Sequence, residues 1–238
     1  MSNKHIPRFA GDIKPDVNDP DAEYVRLAKW LDKFLPKDDI EVFSVELSNS
    51  NDATYESVEV IQQLISQGKK DYIIRRFAEE ITRYLPEKDY KKEVAAVYNF
   101  VVRRLRYTKD IHKVETVHRA RELLSIHLKA ADCDDFVILT GALLQAIGHP
   151  VRIVIIGSNK HDKEDYSHIY LQTSVNNKWI SLDGSVPGAK MGGEAPKYAS
   201  KKIINFDGTS LTAREPSKIL MWLAIAVGIY CFGKAVYK

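Results

Sequence analysis

Residues 131–148 read Ala131-Asp132-Cys133-Asp134-Asp135-Phe136-Val137-Ile138-Leu139-Thr140-Gly141-Ala142-Leu143-Leu144-Gln145-Ala146-Ile147-Gly148. An acidic cluster around a lone cysteine opens directly onto an apolar run, and His149-Pro150 follows the closing glycine. That pattern predicts a buried helix over 135–147, with Cys133 at its first turn. Asp132 is suited to be its N-cap. Backbone N–H groups left unpaired at a helix start stabilise a thiolate, which is the nucleophilic form of cysteine. Asp134 and Asp135 suit the helix dipole but oppose an adjacent negative charge, so a histidinium partner is needed to favour the thiolate.

Upstream of this stretch the apolar spacing is helical. Tyr24, Leu27, Ala28, Leu31 and Leu35 share a face before Pro36, and 54–67 and 72–85 repeat the period, ending at Gly68 and Pro86. Residues 89–106 form a longer amphipathic helix through Val94, Val97, Tyr98, Val101 and Leu105, and 116–127 predicts one more. Residues 42–47 suit a short strand. After Pro150 the period changes: 151–157, 167–175 and 178–182 are short, β-branched or alternating, and separated by polar loops, as in an antiparallel meander. Helices followed by sequential strands indicate an α+β fold, with the cysteine helix packed on an antiparallel sheet. The expected organisation is a flexible arm over 1–20, a helical region over 21–106, a core over 107–185, a linker or extension over 186–217 and an apolar helix over 218–238.

Two of the strands carry groups that complement a cysteine. His168 opens Ser167-His168-Ile169-Tyr170-Leu171, and Asp183 follows Trp179-Ile180-Ser181-Leu182. Neighbouring antiparallel strands can bring imidazole and carboxylate together. A nucleophile, a base and a third group that orients the base make up a catalytic triad. Each residue also has an ordinary structural role: a buried thiol, a half-buried strand histidine, an aspartate before a turn glycine. His161, in the charged loop 159–165, and His127 are alternative bases, although neither begins a strand.

The chain from about Tyr107 to Ser185 resembles the transglutaminase-like superfamily. Asp132-Cys133-Asp134-Asp135 with Leu139, Ala142-Leu143-Leu144, Ile147-Gly148 and Pro150-Val151-Arg152 is similar to that superfamily's nucleophile helix and next strand. Ser167-His168-Ile169-Tyr170 and Lys178-Trp179-Ile180-Ser181-Leu182-Asp183 are similar to its histidine and aspartate strands. The resemblance implies Cys133 as nucleophile, His168 as base and Asp183 as the group that orients it. It also implies a likeness to small bacterial and bacteriophage members. The sequence departs from the pattern at Ala131, commonly Gly, and at Gly184, often Pro. An oxyanion hole would use the Cys133 N–H and a second donor, for which Tyr107 is a candidate; its other reading is a core tyrosine at a helix end.

Composition narrows the alternatives. An apolar fraction of 45% and a charged fraction of 28% are those of a water-soluble globular chain. Lys plus Arg number 35 against 32 Asp plus Glu, a net charge of +3, so no uniform field recruits nucleic acid. The basic clusters Arg75-Arg76 and Arg103-Arg104-Leu105-Arg106 read as solvated helix faces. Two cysteines, one of them in the apolar run near the C-terminus, give no disulfide framework. No secretory signal is legible at Met1, which predicts a cytoplasmic protein. No zinc-type spacing or phosphate loop is visible, and no cofactor or metal is expected.

The run from Ile219 to Gly233 carries no charge. At about 1.5 Å per residue it reaches roughly 22 Å, and adding 234–237 brings it near the ~30 Å of a hydrocarbon core. Membrane contact through 219–237 is the expectation, with a buried core helix or an oligomer contact as the alternative. The expected activity is cysteine-dependent acyl transfer on a peptide or protein substrate, hydrolytic or transamidating. The competing expectation is a catalytically silent structural or scaffolding module, membrane-tethered or virion-associated.

Overall fold

The computed structural model describes residues 20–35, 43–45, 53–108, 115–124, 130–162, 164–186, 188, 190–194 and 197–206. The chain starts with helix α1 (Pro20–Phe34), strand β1 (Phe43–Val45) and helices α2 (Ala53–Lys70), α3 (Tyr72–Thr82) and α4 (Tyr90–Arg104). Strand β2 (Arg106–Tyr107), strand β3 (Glu115–Val117), the short helix α5 (Ala120–Leu123) and strand β4 (Ala130–Ala131) lead to helix α6 (Cys133–Ala146). Strands β5 (Val151–Gly157), β6 (His168–Val175), β7 (Lys178–Leu182) and β8 (Ser200–Asn205) follow. These last four form an antiparallel sheet in the order β7-β6-β5-β8. The α+β class expected from the sequence is the one observed. Residues 1–19 of the arm expected over 1–20, His127 and the apolar run 219–237 lie outside the described residues. Among the described residues no helix is long and apolar enough to cross a membrane.

Helix α6 is the centre of the molecule. Phe136 to Leu144 are all buried, so the helix is apolar all round rather than amphipathic, as a helix enclosed by other elements must be. α2, α3 and α4 pack on it from one side and β6 from the other. The sheet presents Ile153, Ile155, Ile169, Leu171 and Leu182 to this core. Its opposite face carries a separate small cluster of Val154, Ile156 and Tyr170. Each fully buried aliphatic side chain contributes about 1.5–3 kcal/mol.

Two local expectations change. Helix α2 runs through Gly68 instead of ending there, because Gly68 is a contact point: a Cβ on it would lie 2.7 Å from the Cβ of Ala142 and 3.0 Å from that of Ala120. The residue lets α2 and α6 approach closely. The helix expected over 116–127 is replaced in its first part by β3, whose residues pair with β1, and α5 begins only at Ala120. Tertiary pairing and a buried histidine, described below, override the local period. In the stretch 186–217, residues 200–205 form the edge strand β8, paired with β5 from Arg152↔Asn205 to Gly157↔Ser200.

The turn between β6 and β7 sets the site. Asn176 and Asn177 adopt left-handed φ values of 52° and 62°, the conformation of a two-residue hairpin turn that Asn tolerates. The register this fixes ends at Leu171↔Leu182. One residue further, Asp183 falls beside Tyr170 and on the same sheet face as His168, because side chains alternate along a strand.

Candidate active site

The site is built at the start of α6 and at the ends of β6 and β7. Asp132, at φ −97° and ψ −169°, is the N-cap: its Oδ1 accepts hydrogen bonds from the N–H groups of Asp134 (3.0 Å) and Asp135 (3.2 Å). The cap pairs off two donors of the helix start, as expected of an aspartate there. Ahead of it, β4 runs parallel to β2, with Tyr107 opposite Ala131, and the Thr108 N–H donates to the Ala131 carbonyl at 2.8 Å. Cys133 therefore begins a helix whose cap and preceding strand are both fixed.

The Cys133 side chain is half-buried, and its thiol donates to Asp134 Oδ1 at 3.6 Å. Burial pushes the thiol well above its ordinary pKa, and the negative charges of Asp134 and Asp132 push it further. The backbone N–H of Ile169 opposes them by hydrogen-bonding the sulfur. That contact sets the thiol against the residue next to His168. The thiolate-stabilising helix start expected from the sequence is outweighed here: Asp132 occupies two of its N–H groups, and two carboxylates flank the sulfur. In the resting site Cys133 is a neutral thiol.

His168 Nε2 lies 2.9 Å from Asp183 Oδ2. A carboxylate oxygen accepts, so Nε2 carries the proton and Nδ1 is the basic nitrogen. Asp183 is only 3% exposed. It is held from three sides. Its Oδ1 accepts from Ser185 Oγ at 3.0 Å, and its carbonyl accepts from the Tyr98 hydroxyl at 3.0 Å. Behind it, a Cβ on Gly184 would lie 2.8 Å from the Phe136 ring and 3.1 Å from Val102, so this backbone packs directly on α6 and α4. This contact accounts for glycine at the position after the aspartate. Burial, together with the Asp183 charge, pushes the Tyr98 hydroxyl up to about 12, which keeps it protonated as a donor.

A second imidazole–carboxylate pair lies beneath the cysteine. His118 Nδ1 is 3.0 Å from both carboxylate oxygens of Asp135, and the His118 N–H donates to Oδ1 at 3.3 Å. Burial alone would lower the pKa of His118, but hydrogen bonding to Asp135 and the charges of Asp135, Glu122 and Asp132 raise it. Burial also pushes Asp135 upward, against the pull of His118. Nδ1 midway between the two oxygens and a backbone N–H on one of them favour the carboxylate form of Asp135, and that carboxylate in turn favours the protonated form of His118. It ties the first turn of α6 to the segment before α5.

Of the other residues considered, His161 sits in an exposed Asx-type turn, where its N–H bonds Asn159 Oδ1 at 2.9 Å. Asp132, Cys133 and Asp134 place ligand-type atoms within 4.8 Å of one another, but Asp132 is committed to capping. Tyr107 is 47% exposed and is not a core residue: β2 ends the helical region and turns the ring outward. It lines an open cleft of about 290 Å³ together with Ser158, His168, Ser185, Lys197 and Tyr198. His118, Tyr98 and Ser185 were not singled out as site residues from the sequence. Of these only Tyr98 left a trace, as an apolar-face position of α4.

A family model described as the Transglutaminase-like superfamily matches residues 75–184. Three solved structures are similar. A candidate cysteine protease from Cytophaga hutchinsonii is 17% identical, with 72% of this chain and 55% of that chain covered and a TM-score of 0.41. A candidate protease from Parabacteroides distasonis is 12% identical, with 65% and 30% covered and a TM-score of 0.41. A protein described as a TGase is 15% identical, with 84% and 55% covered and a TM-score of 0.31. The chain thus spans 55% or less of the length of each. No curated protein matches. The matched stretch runs from α3 through the cysteine helix to the glycine after Asp183, and over those residues the chain is similar to the transglutaminase-like superfamily.

Proposed function

We propose that this protein is a cysteine-dependent acyl-transfer enzyme acting on peptide or amide carbonyls, with Cys133 as nucleophile, His168 as base and Asp183 as the group that orients the imidazole. The observation that carries the reading is the His168–Asp183 pair at 2.9 Å, which leaves Nδ1 as the base, beside a cysteine whose sulfur contacts the N–H of Ile169.

The raised thiol pKa defines the order of events. Cys133 Sγ attacks the carbonyl carbon as His168 Nδ1 takes the thiol proton, so charge separation develops only as the S–C bond forms. The carbonyl oxygen becomes an oxyanion facing the Cys133 N–H, a donor at the start of α6. Collapse breaks the C–N bond, and the imidazolium returns its proton to the departing amine, leaving a thioester on Cys133. Water then yields an acid, or an amine yields a new amide, with His168 again taking the proton. Asp183 accepts from Nε2 and compensates the imidazolium throughout.

To test the reading, dimethylcasein and monodansylcadaverine are incubated with the full chain. Fragments report hydrolysis, and fluorescent casein reports transamidation. Either product should fall by about 10³-fold or more in Cys133→Ala and His168→Ala. A second reading, a catalytically silent structural module, draws on the neutral thiol directed at Asp134. It predicts no product that depends on Cys133.

A further inference from the structure

The cleft beside His168 has a consistent electrostatic character. Among the described residues that line it, Lys197 and His168 are the only ionisable groups besides the tyrosines, and none is a carboxylate. Two acids close to its lining are engaged elsewhere, while Asp134 and Asp132 stand at the Cys133 sulfur. Asp183 accepts from His168 and Ser185. Glu194 accepts from Ser181 Oγ (2.5 Å), Gln172 Nε2 (3.2 Å) and Lys201 Nζ (2.9 Å). Lys197 and Tyr198 lead into an anchor of their own, where the Ala199 N–H donates to the Gly157 carbonyl at 2.7 Å and β8 begins. Tyr107, on the strand paired with the one that leads into Cys133, lines the same cleft. Both rings stand about half exposed, Tyr107 at 47% and Tyr198 at 45%. Ser158, Ser167 and Ser185 supply hydroxyls between them.

We propose that this cleft is a substrate subsite for an acidic peptide side chain, a glutamate or aspartate close to the bond that is cleaved, with Lys197 as its charge partner and Tyr107 and Tyr198 flanking its aliphatic stem. The volume, about 290 Å³, accommodates one such side chain and adjoining backbone. The proposal deepens the acyl-transfer reading and rests on it for which bond is attacked. The backbone just after Lys197 and Tyr198 is pinned at Ala199, so the ordering cost of binding falls mainly on the lysyl side chain. Selectivity arises because a lysyl side chain would meet Lys197 without a compensating carboxylate.

The test uses three acetyl-Ala-Ala peptidyl chloromethyl ketones, ending in glutamate, glutamine or lysine, and follows labelling of Cys133 in the full chain by mass spectrometry. The sulfur displaces chloride from the ketone methylene as His168 takes the thiol proton. The glutamyl ketone should react about three- to fivefold faster than the glutaminyl one, the range of a solvent-accessible ion pair, and the lysyl ketone slowest. In Lys197→Met the glutamyl advantage should vanish, and in Lys197→Glu the order should invert towards lysine. Equal rates for glutamyl and glutaminyl ketones in the wild type, or a glutamyl advantage that survives Lys197→Met, overturns the subsite. If no ketone labels Cys133 faster in the wild type than in His168→Ala, the acyl-transfer reading fails instead. The subsite is then decided by NMR titration of acetyl-Ala-Ala-Glu-amide and its glutamine analogue into Cys133→Ala protein. Tighter glutamate binding that Lys197→Met abolishes supports the subsite, and equal affinities reject it.

Discussion

Cys133 is under two opposed influences: the helix start and the Ile169 N–H favour its anion, while burial, Asp134 and Asp132 disfavour it, and the second set prevails. Replacing Asp134 by asparagine removes a negative charge beside the sulfur without touching the cap, so Asp134→Asn should lower the thiol pKa and speed alkylation of Cys133 at neutral pH. Thiolate absorbance at 240 nm followed against pH measures this, and an unchanged midpoint would show that Asp134 does not hold the thiol neutral. Asp183→Asn addresses the base. An amide can present its N–H to Nε2 and select the wrong tautomer, so acyl transfer should fall between about 10² and 10⁴-fold. Steady-state kinetics on the casein substrate checks this, and activity within a few-fold of wild type contradicts the orienting role. At this scale the sequence was informative where chemistry coincides with element ends: His168 at a strand start and Asp183 at a strand end do form a hydrogen-bonded pair. It was silent on Tyr98, 85 residues from the aspartate whose carbonyl it holds, because a tyrosine on an apolar helix face gives no sign of where its hydroxyl points.

Helix α6 depends on close neighbours at both ends. Alanine is the better helix former by about 1 kcal/mol, yet Gly68→Ala should destabilise the protein by about 1–3 kcal/mol, because the added methyl meets the Cβ atoms of Ala142 and Ala120, which have no rotamer to yield. Urea denaturation decides it; a stabilised variant would mean α2 and α6 separate freely. At the N-terminal end, the raised pKa of His118 means that folding favours its protonated form. Its contribution is fully present below the unfolded value near 6.5 and is lost as pH rises through the higher folded value. His118→Leu leaves Asp135 buried without its partner and should cost about 3 kcal/mol or more at pH 6, with the gap to wild type narrowing as pH increases. A gap independent of pH would show that the pair is not charged. Neither device was legible beforehand. Gly68 resembles a helix stop, and the 116–127 segment resembles a helix, because local period carries no information about what lies across the core. The edge strand β8 was hidden for a different reason: Lys201 and Lys202 guard the edge of a sheet, and such a strand has little apolar alternation to recognise.

Across the whole molecule, the α+β order, the central helix and the β5–β7 meander were readable from apolar period and turn residues, since those features are set by neighbours in sequence. What assembles the site is long-range. The register through Asn176–Asn177 and the packing of Gly184 on Phe136 set Asp183 and Ser185 against the Cys133 helix. Helices and sheet therefore serve one end: a histidine–aspartate pair held rigidly beside a thiol that is neutral at rest. A neutral thiol beside an oriented base makes a sharp demand, that reactivity near pH 7 must pass through His168. The direct measurement is the pH–rate profile of Cys133 alkylation by iodoacetamide in wild type and His168→Ala. The account predicts His168-dependent alkylation at neutral pH, which the variant loses, retaining only reaction at high pH where the isolated thiol ionises. Identical profiles in both proteins, each following a single high-pH titration, would contradict it and leave the fold without its enzyme.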